Sequence, residues 1–464
     1  MVEAIANGIE DRLIDGLSFK LAPGASYITD RRSVSFYPQG SNIYSSVAGT
    51  KLIRIVLTGD SWLDPSTFRL MFDVKNEDAT ANHNLRPLLA PWAFFRRMRI
   101  LAGGQLVEDI DYYNRVHQMF SALIARESNT NNLAESFGYT TTEARDLNST
   151  TTFAGIPPGQ MQTVMFKPLS GLLNQPKYLP LRYMPLTLEF ELVNNPLDPI
   201  VDPTTASPGA DGTTQQFIAP SAPGVLPVVA GNTSISWSIQ NVMVKCDMCT
   251  LDNALDNSYA QHLLSGKSLP INYDTWVSQF QTISGNQPTI NITRALTRLK
   301  SVFMTLDKDL LGFRNTFWRK YWNDFYSPAS HSCYQGNMVF NANDEFEFTL
   351  QCGSKLFPEY PIRSHAEAFY QLQKSLGIQS SNLHNFNING VQYRDNKLII
   401  GIDMEKVIEA GWTGMNTRAG DLLTVKFKYG QNFNTTLYSA DRMHVVLHSD
   451  QILEIRDSGC AVFD

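Results

Sequence analysis

The stretch WAFFRRMRILAGGQLVEDIDYYNRVHQMFSALI, residues 92–124, changes its period halfway along. Phe94, Phe95, Met98, Ile100 and Leu101, set among Arg96, Arg97 and Arg99, read as a strand. Gly103 and Gly104 break it, Leu106–Val107 forms a short apolar piece, and Glu108, Asp109 and Asp111 follow. Tyr113, Val116, Phe120, Leu123 and Ile124 then recur at helical spacing, a stripe that faces a core. The three acids precede this helix, so they are expected to serve its electropositive N-terminal end.

The same order returns in DEFEFTLQCGSKLFPEYPIRSHAEAFYQLQKSLG, residues 344–377. Phe346, Phe348 and Leu350 alternate as in a strand, Gly353 breaks it, and Leu356–Phe357 and Glu359 follow. A helix with Phe369, Leu372 and Leu376 on one face comes next, with Gly377 as its stop, since glycine takes up a left-handed conformation cheaply. Two copies of one unit at this separation predict two related domains rather than a short-period solenoid.

Around these units the chain alternates with a period of two. Val34 and Phe36, Leu52 to Leu57, Phe68 to Val74, Val164 and Phe166, and Leu186 to Leu192 read as strands in the first half. Ile235, Trp237 and Ile239 change phase before Val242, Val244, Cys246 and Met248, which predicts either a bulge or a new strand. In the second half, Trp276 to Ile283, Ile290 to Leu306, Leu398 to Ile402, Leu423 to Tyr429 and Met443 to Leu447 follow suit, with Ile452 to Ile455 beyond. The pattern predicts an all-β chain with short inserted helices. Residues 1–28 form an N-terminal arm, 29–252 and 271–464 two sandwiches, and 253–270 a linker. Asn195 to Gly231, rich in Pro, Gly, Ala, Ser and Thr, is too long for a hairpin and is expected to be a surface excursion.

With 464 residues, two or three domains are expected. A net charge of −6 and no basic run argue against binding a phosphate backbone. Cys246, Cys249, Cys333, Cys352 and Cys460 are odd in number and scattered, which points to reduced thiols in an intracellular setting. The first residues, MVEAIANGIEDRLIDGL, carry acids and no long apolar core, so no signal peptide is expected; no run is long enough to span a membrane.

Five short motifs carry residue types that could do chemistry. Cys246-Asp247-Met248-Cys249 is a CxxC, but strand residues three apart point to opposite faces and no second CxxC follows. Gly266-Lys267-Ser268 resembles the end of a P-loop, yet Gln261 stands where the first glycine belongs. His444 and His448 share a strand face, without an evident third metal ligand. Glu108, Asp109 and Asp111 could supply a carboxylate pair for acid–base work. His365-Ala366-Glu367 has the wrong order for a zinc protease, and neither GxSxG nor HExxH occurs. No catalytic, cofactor-binding or metal-ligating set emerges, so no enzyme activity and no cofactor are expected.

YSSVAGTKLIRIVLTG (residues 44–59), LDPSTFRLMFDV (63–74) and LLAPWAFFRRMRILAGGQLVEDIDYYNRVHQMF (88–120) resemble double jelly-roll major capsid proteins of polinton-like viruses and virophages, in the PRD1–adenovirus capsid lineage. The resemblance implies two tandem eight-stranded antiparallel jelly rolls. It also implies a homotrimeric, pseudo-hexameric capsomer tiling an icosahedral shell around double-stranded DNA, with neighbouring capsomers, pentons and minor capsid proteins as partners. It places Asn195–Gly231 on the exterior and the arm at the base, and the protein in the virion after assembly inside the host cell. A carbohydrate-binding or carbohydrate-active sandwich is the alternative, motivated by the aromatic-rich Phe313–Tyr326 segment. A vertex penton would suit one jelly roll and fits this length poorly.

Overall fold

The computed structural model describes residues 27–47, 50–81, 83–85, 87, 90–124, 135–137, 155–200, 234–307, 325–328, 345–378, 388, 390–395, 397–405, 414–418, 422–430 and 439–464. The first half comprises β1 (Ile28–Phe36), β2 (Ile43–Tyr44), β3 (Leu52–Leu57), β4 (Trp62–Asn76), β5 (Phe95–Ala102), β6 (Gln105–Ile110), helix α1 (Tyr113–Ala122), β7 (Met161–Phe166), β8 (Leu179–Pro180), β9 (Leu186–Leu192) and β10 (Trp237–Leu251). Helix α2 (Asn253–Leu264) follows. The second half comprises β11 (Leu269–Thr282), β12 (Thr289–Ile292), β13 (Leu299–Asp307), β14 (Glu347–Cys352), β15 (Lys355–Ile362), α3 (His365–Ser375), α4 (Gly390–Asp395), β16 (Ile399–Asp403), β17 (Leu423–Lys428), β18 (Arg442–Arg456) and β19 (Gly459–Phe463).

Strand order reveals the duplication. In the first half one sheet runs β1-β10-β4-β7 and the other β3-β9-β5-β6, with β2 and β8 as short additions. In the second half the sheets run β11-β18-β13-β16 and β12-β17-β14-β15, with β19 added. Counting only the main strands of each half, both give the orders 1-8-3-6 and 2-7-4-5, all antiparallel. Each half is an eight-stranded jelly roll.

The quoted stretch is β5, β6 and α1, and its counterpart is β14, β15 and α3. Both hairpins close with two residues: Ala102 pairs Gln105 and Cys352 pairs Lys355. Gly103 (φ 55°), Gly104 (φ 87°) and Gly353 (φ 59°) supply the positive φ such turns demand. Gly377, at φ 69°, ends α3 as expected, its N–H donating to the Lys374 carbonyl. Ser364 caps that helix, the Glu367 N–H donating to its Oγ at 3.1 Å, while the Glu367 carboxylate accepts from the Arg363 N–H at 3.0 Å.

Alternation decides which side of a strand is inside. Phe68, Leu70, Phe72 and Val74 are all fully buried on β4. Phe72 meets Phe94, Phe95 and Phe166 edge-on, at 5.4 Å between ring centres for Phe95. Phe346 and Phe427 stack at 5.2 Å in the second core. Phe72→Ala should cost about 3–5 kcal/mol, because three rings lose their common neighbour; urea denaturation reads this directly.

Two strand expectations are corrected and one open alternative is decided. Ile290 to Leu306 is two strands in opposite sheets, β12 and β13, since residues 293–298 carry the chain from one sheet to the other, with Leu296 buried on the way. The phase change near 240 is a bulge within one strand, not a new strand: the pairing steps from Gln240↔Asp73 to Met243↔Met71, and Asn241 sits at φ 51°. Met443 to Leu447 and Ile452 to Ile455 form one strand, β18, which pairs β11 along its whole length.

Candidate functional site

The two jelly rolls meet at a face built by β6, α1 and the loop before β8. Tyr112, held at φ 47° ahead of α1, stacks on Phe280 of β11 at 4.5 Å. Phe120 of α1 meets Trp276 at 5.5 Å and Phe303 at 5.2 Å. Ser278 Oγ donates to the Asp111 carbonyl at 2.7 Å, and the Tyr273 hydroxyl lies 2.8 Å from Gln451 Oε1 and 3.2 Å from the Val107 carbonyl. Trp276, Ser278 and Phe280 are two residues apart and share one face of β11. At Gly171 the backbones nearly touch: a Cβ there would lie 1.4 Å from the Asp274 carbonyl oxygen.

Charged groups line both sides of this contact, with Glu108 and Asp450 buried. Glu108 is buried, accepting from the Gly171 N–H at 2.8 Å and from Ser170 Oγ. Burial pushes its carboxyl up to about 7, although the donors from Ser170, Gly171 and Leu172 favour the ionised form. Opposite it, Lys300 Nζ sits 3.2 Å from Asp274, 3.4 Å from Asp450 and 3.8 Å from Glu405. Burial and the adjoining Asp274 push Asp450 up. Burial also acts against the charge on Asp274, but hydrogen bonding from His448 and Asp450 outweighs it and holds that carboxyl low. The pair therefore retains one proton where free carboxyls would have lost both. Burial lowers His444 to about 3, so it stays neutral, with Nε2 3.1 Å from Ser278 Oγ.

The acids after Gly104 are not a helix-end cluster. Glu108 and Asp109 belong to β6, and the first turn of α1 holds no acid. Alternation along β6 separates their tasks: Glu108 turns into the contact, while Asp109 makes a two-point pair with Arg97 at 2.7 and 2.6 Å. Cys246 and Cys249 are free, buried thiols on β10, and burial pushes Cys246 up to about 12. Gly266 (φ 79°) follows the C-terminal end of α2, the wrong end of a helix to cradle phosphate. His444 and His448 face Ser278 and Ser301. His365 opens α3, with Nδ1 2.9 Å from Glu345 and Nε2 3.1 Å from Ser327 Oγ. Among the described residues no three His, Cys, Asp or Glu side chains could hold a metal ion. No helix among them is long and apolar enough to cross a membrane.

Other sequence expectations fall largely outside the described residues. These are the arm up to residue 26, residues 201–231 of the surface excursion, and residues 313–324 of the aromatic segment. Phe325 and Tyr326, at the end of that segment, are buried. Nothing in the sequence singles out Gly171, Tyr273 or the Lys300–Asp274–Asp450 group. No local spacing marks them, because their partners come from distant strands.

No protein-family model matches the chain, and no curated protein matches its sequence. Solved structures do. Vp54 of PBCV-1, in a structure fitted into a cryo-EM reconstruction of the virophage Sputnik, is 12% identical with a TM-score of 0.55, covering 96% of this chain and 99% of that one. The cryo-EM structure of the Sputnik virophage is 11% identical with a TM-score of 0.56, covering 97% and 91%. The Faustovirus major capsid protein is 8% identical with a TM-score of 0.56, covering 97% and 94%. Over nearly its entire length, the chain therefore has the double jelly-roll fold of these viral proteins.

Proposed function

We propose that this chain is the major capsid protein of a double-stranded DNA virus, a structural protein rather than an enzyme, located in the virion. It assembles as a homotrimeric, pseudo-hexameric capsomer that tiles an icosahedral shell. Residues 29–252 and 271–464 are its two modules, 253–270 the connector and 1–28 the arm. Pentons and other minor capsid proteins join it in the shell, Asn195–Gly231 lies outside, and no sequence-specific contact is made to the genome.

One observation carries this reading: the contact between the halves is head-to-tail. β6 and α1 of the first jelly roll dock on β11 and β13 of the second. Among the described residues, the equivalent elements, β15 and α3 of the second jelly roll and the β1–β10 sheet of the first, meet no such partner in the chain. On the former, Leu356, Tyr360 and Tyr370 are 41%, 77% and 54% exposed. Unlike faces that repeat head-to-tail close a ring when the rotation fits. Three chains would bring six similar modules around one axis.

Sedimentation should give a particle of three times 52.1 kDa, with six lobes in negative stain. A strict monomer at high concentration would overturn the proposal. The double variant Tyr360→Asp, Tyr370→Asp should lose about 2 kcal/mol per buried aromatic at the interface and sediment as a monomer, its circular dichroism unchanged. Of the aromatic segment behind the carbohydrate reading, Phe325 and Tyr326 are buried in the core.

A further inference from the structure

An apolar cleft of about 700 Å³ opens where α2 passes over the junction of the two jelly rolls. Its walls come from β1 (Ile28), β4 (Trp62), the loop into β8 (Lys177, Tyr178), α2 (Leu255, Tyr259), the start of β11 (Leu269, Ile271) and the end of β18 (Ile455). Leu255 and Tyr259, one helical turn apart, turn the same side of α2 to the cleft, and Tyr259 leans on Trp62 at 4.9 Å between rings. The cleft lies between a helix and two sheets and is open to solvent on one side. Its size and aromatic walls are those of small-molecule sites.

The charge of the lining selects the ligand. Lys177 is the one charged side chain among the described lining residues, and no carboxylate accompanies it. Its ammonium donates to the Pro270 carbonyl at 2.8 Å, which leaves two of its three donors for a ligand. The tyrosine hydroxyls of Tyr27, Tyr178 and Tyr259 are the other side-chain donors in the lining, beside the indole N–H of Trp62.

We propose that this cleft binds an amphiphile with a long acyl chain and an anionic head: the chain between α2 and the sheets, the head at Lys177. Bound there, it would tie the first jelly roll, α2 and the second jelly roll together. The site goes beyond the capsid reading and stands or falls independently of it.

The test uses the full chain and dibromostearate, whose bromines quench nearby tryptophan. Saturable quenching is expected, with the quenched component absent in Trp62→Phe and the affinity at least tenfold weaker in Lys177→Glu. Stearate should compete, whereas an alkyltrimethylammonium of equal length should not. Unsaturable quenching, or equal competition by the cationic chain, would overturn the proposal. So would a photo-crosslinker placed at Tyr259 that captures another segment of this polypeptide, since the cleft would then be filled by protein.

Discussion

Gly171→Ala is expected to lower stability by about 3–5 kcal/mol, at the upper end of what a single methyl group does. The ordinary cost of overpacking is smaller, about 1–3 kcal/mol, because side chains can turn aside. Here the obstacle is backbone. The added Cβ would meet the Asp274 carbonyl oxygen at 1.4 Å and its carbon at 2.5 Å. Asp274 cannot retreat, because it lies within β11, paired with Asp450 of β18. Gly171 cannot retreat either: its N–H is held by Glu108 and its carbonyl accepts from Asn174 and Gln175. The variant must therefore separate the two jelly rolls at this point or deform a central strand pair. Gly59→Ala is the control, since its new methyl would meet only Met248 Cε at 3.8 Å, and it should stay within about 0.5 kcal/mol of wild type. Urea midpoints distinguish the two. Equal midpoints would mean that the halves are not in contact through Gly171.

Glu108 should make stability fall as pH rises. Its carboxyl is shifted from 4.5 to about 7 by burial. Between these values the folded protein holds a proton that the unfolded chain has released, so unfolding becomes easier with rising pH. The contribution is full below about pH 4.5, declines towards pH 7 and is gone above it, a span worth about 3 kcal/mol. Glu108→Gln keeps the shape and has no proton to lose. Relative to wild type, it should gain stability from pH 5 to about pH 7 and level off above that in paired denaturant titrations. Pairing the measurements matters because other buried groups titrate as well: His117 and His444, lowered by burial to about 4 and about 3, weaken the fold on the acid side instead. A difference curve flat with pH would show that Glu108 is ionised throughout, its three donors outweighing its burial.

These two residues also mark how far the sequence could be read. The strand–glycine–strand–helix unit was legible twice because everything it needs is local. Phe346, Phe348 and Leu350 alternate on their own strand, Gly353 turns at its own φ, and Phe369 and Leu372 repeat on their own helix. Even the bulge near Asn241 was visible, as a change of phase. The acids at Glu108 and Asp109 were misread because a short strand separates them from helical geometry and sends them to opposite sides.

The sequence by itself determined two similar β-modules, their hairpins and their helices, since side-chain period and glycine turns act over a few residues. Only the tertiary structure decided which face of one module meets the other, where a carboxyl is buried at that contact and where a cleft is left beside it. Those outcomes depend on pairs such as Asp111 with Ser278, 167 residues apart, brought together by the packing of whole sheets rather than by any local preference.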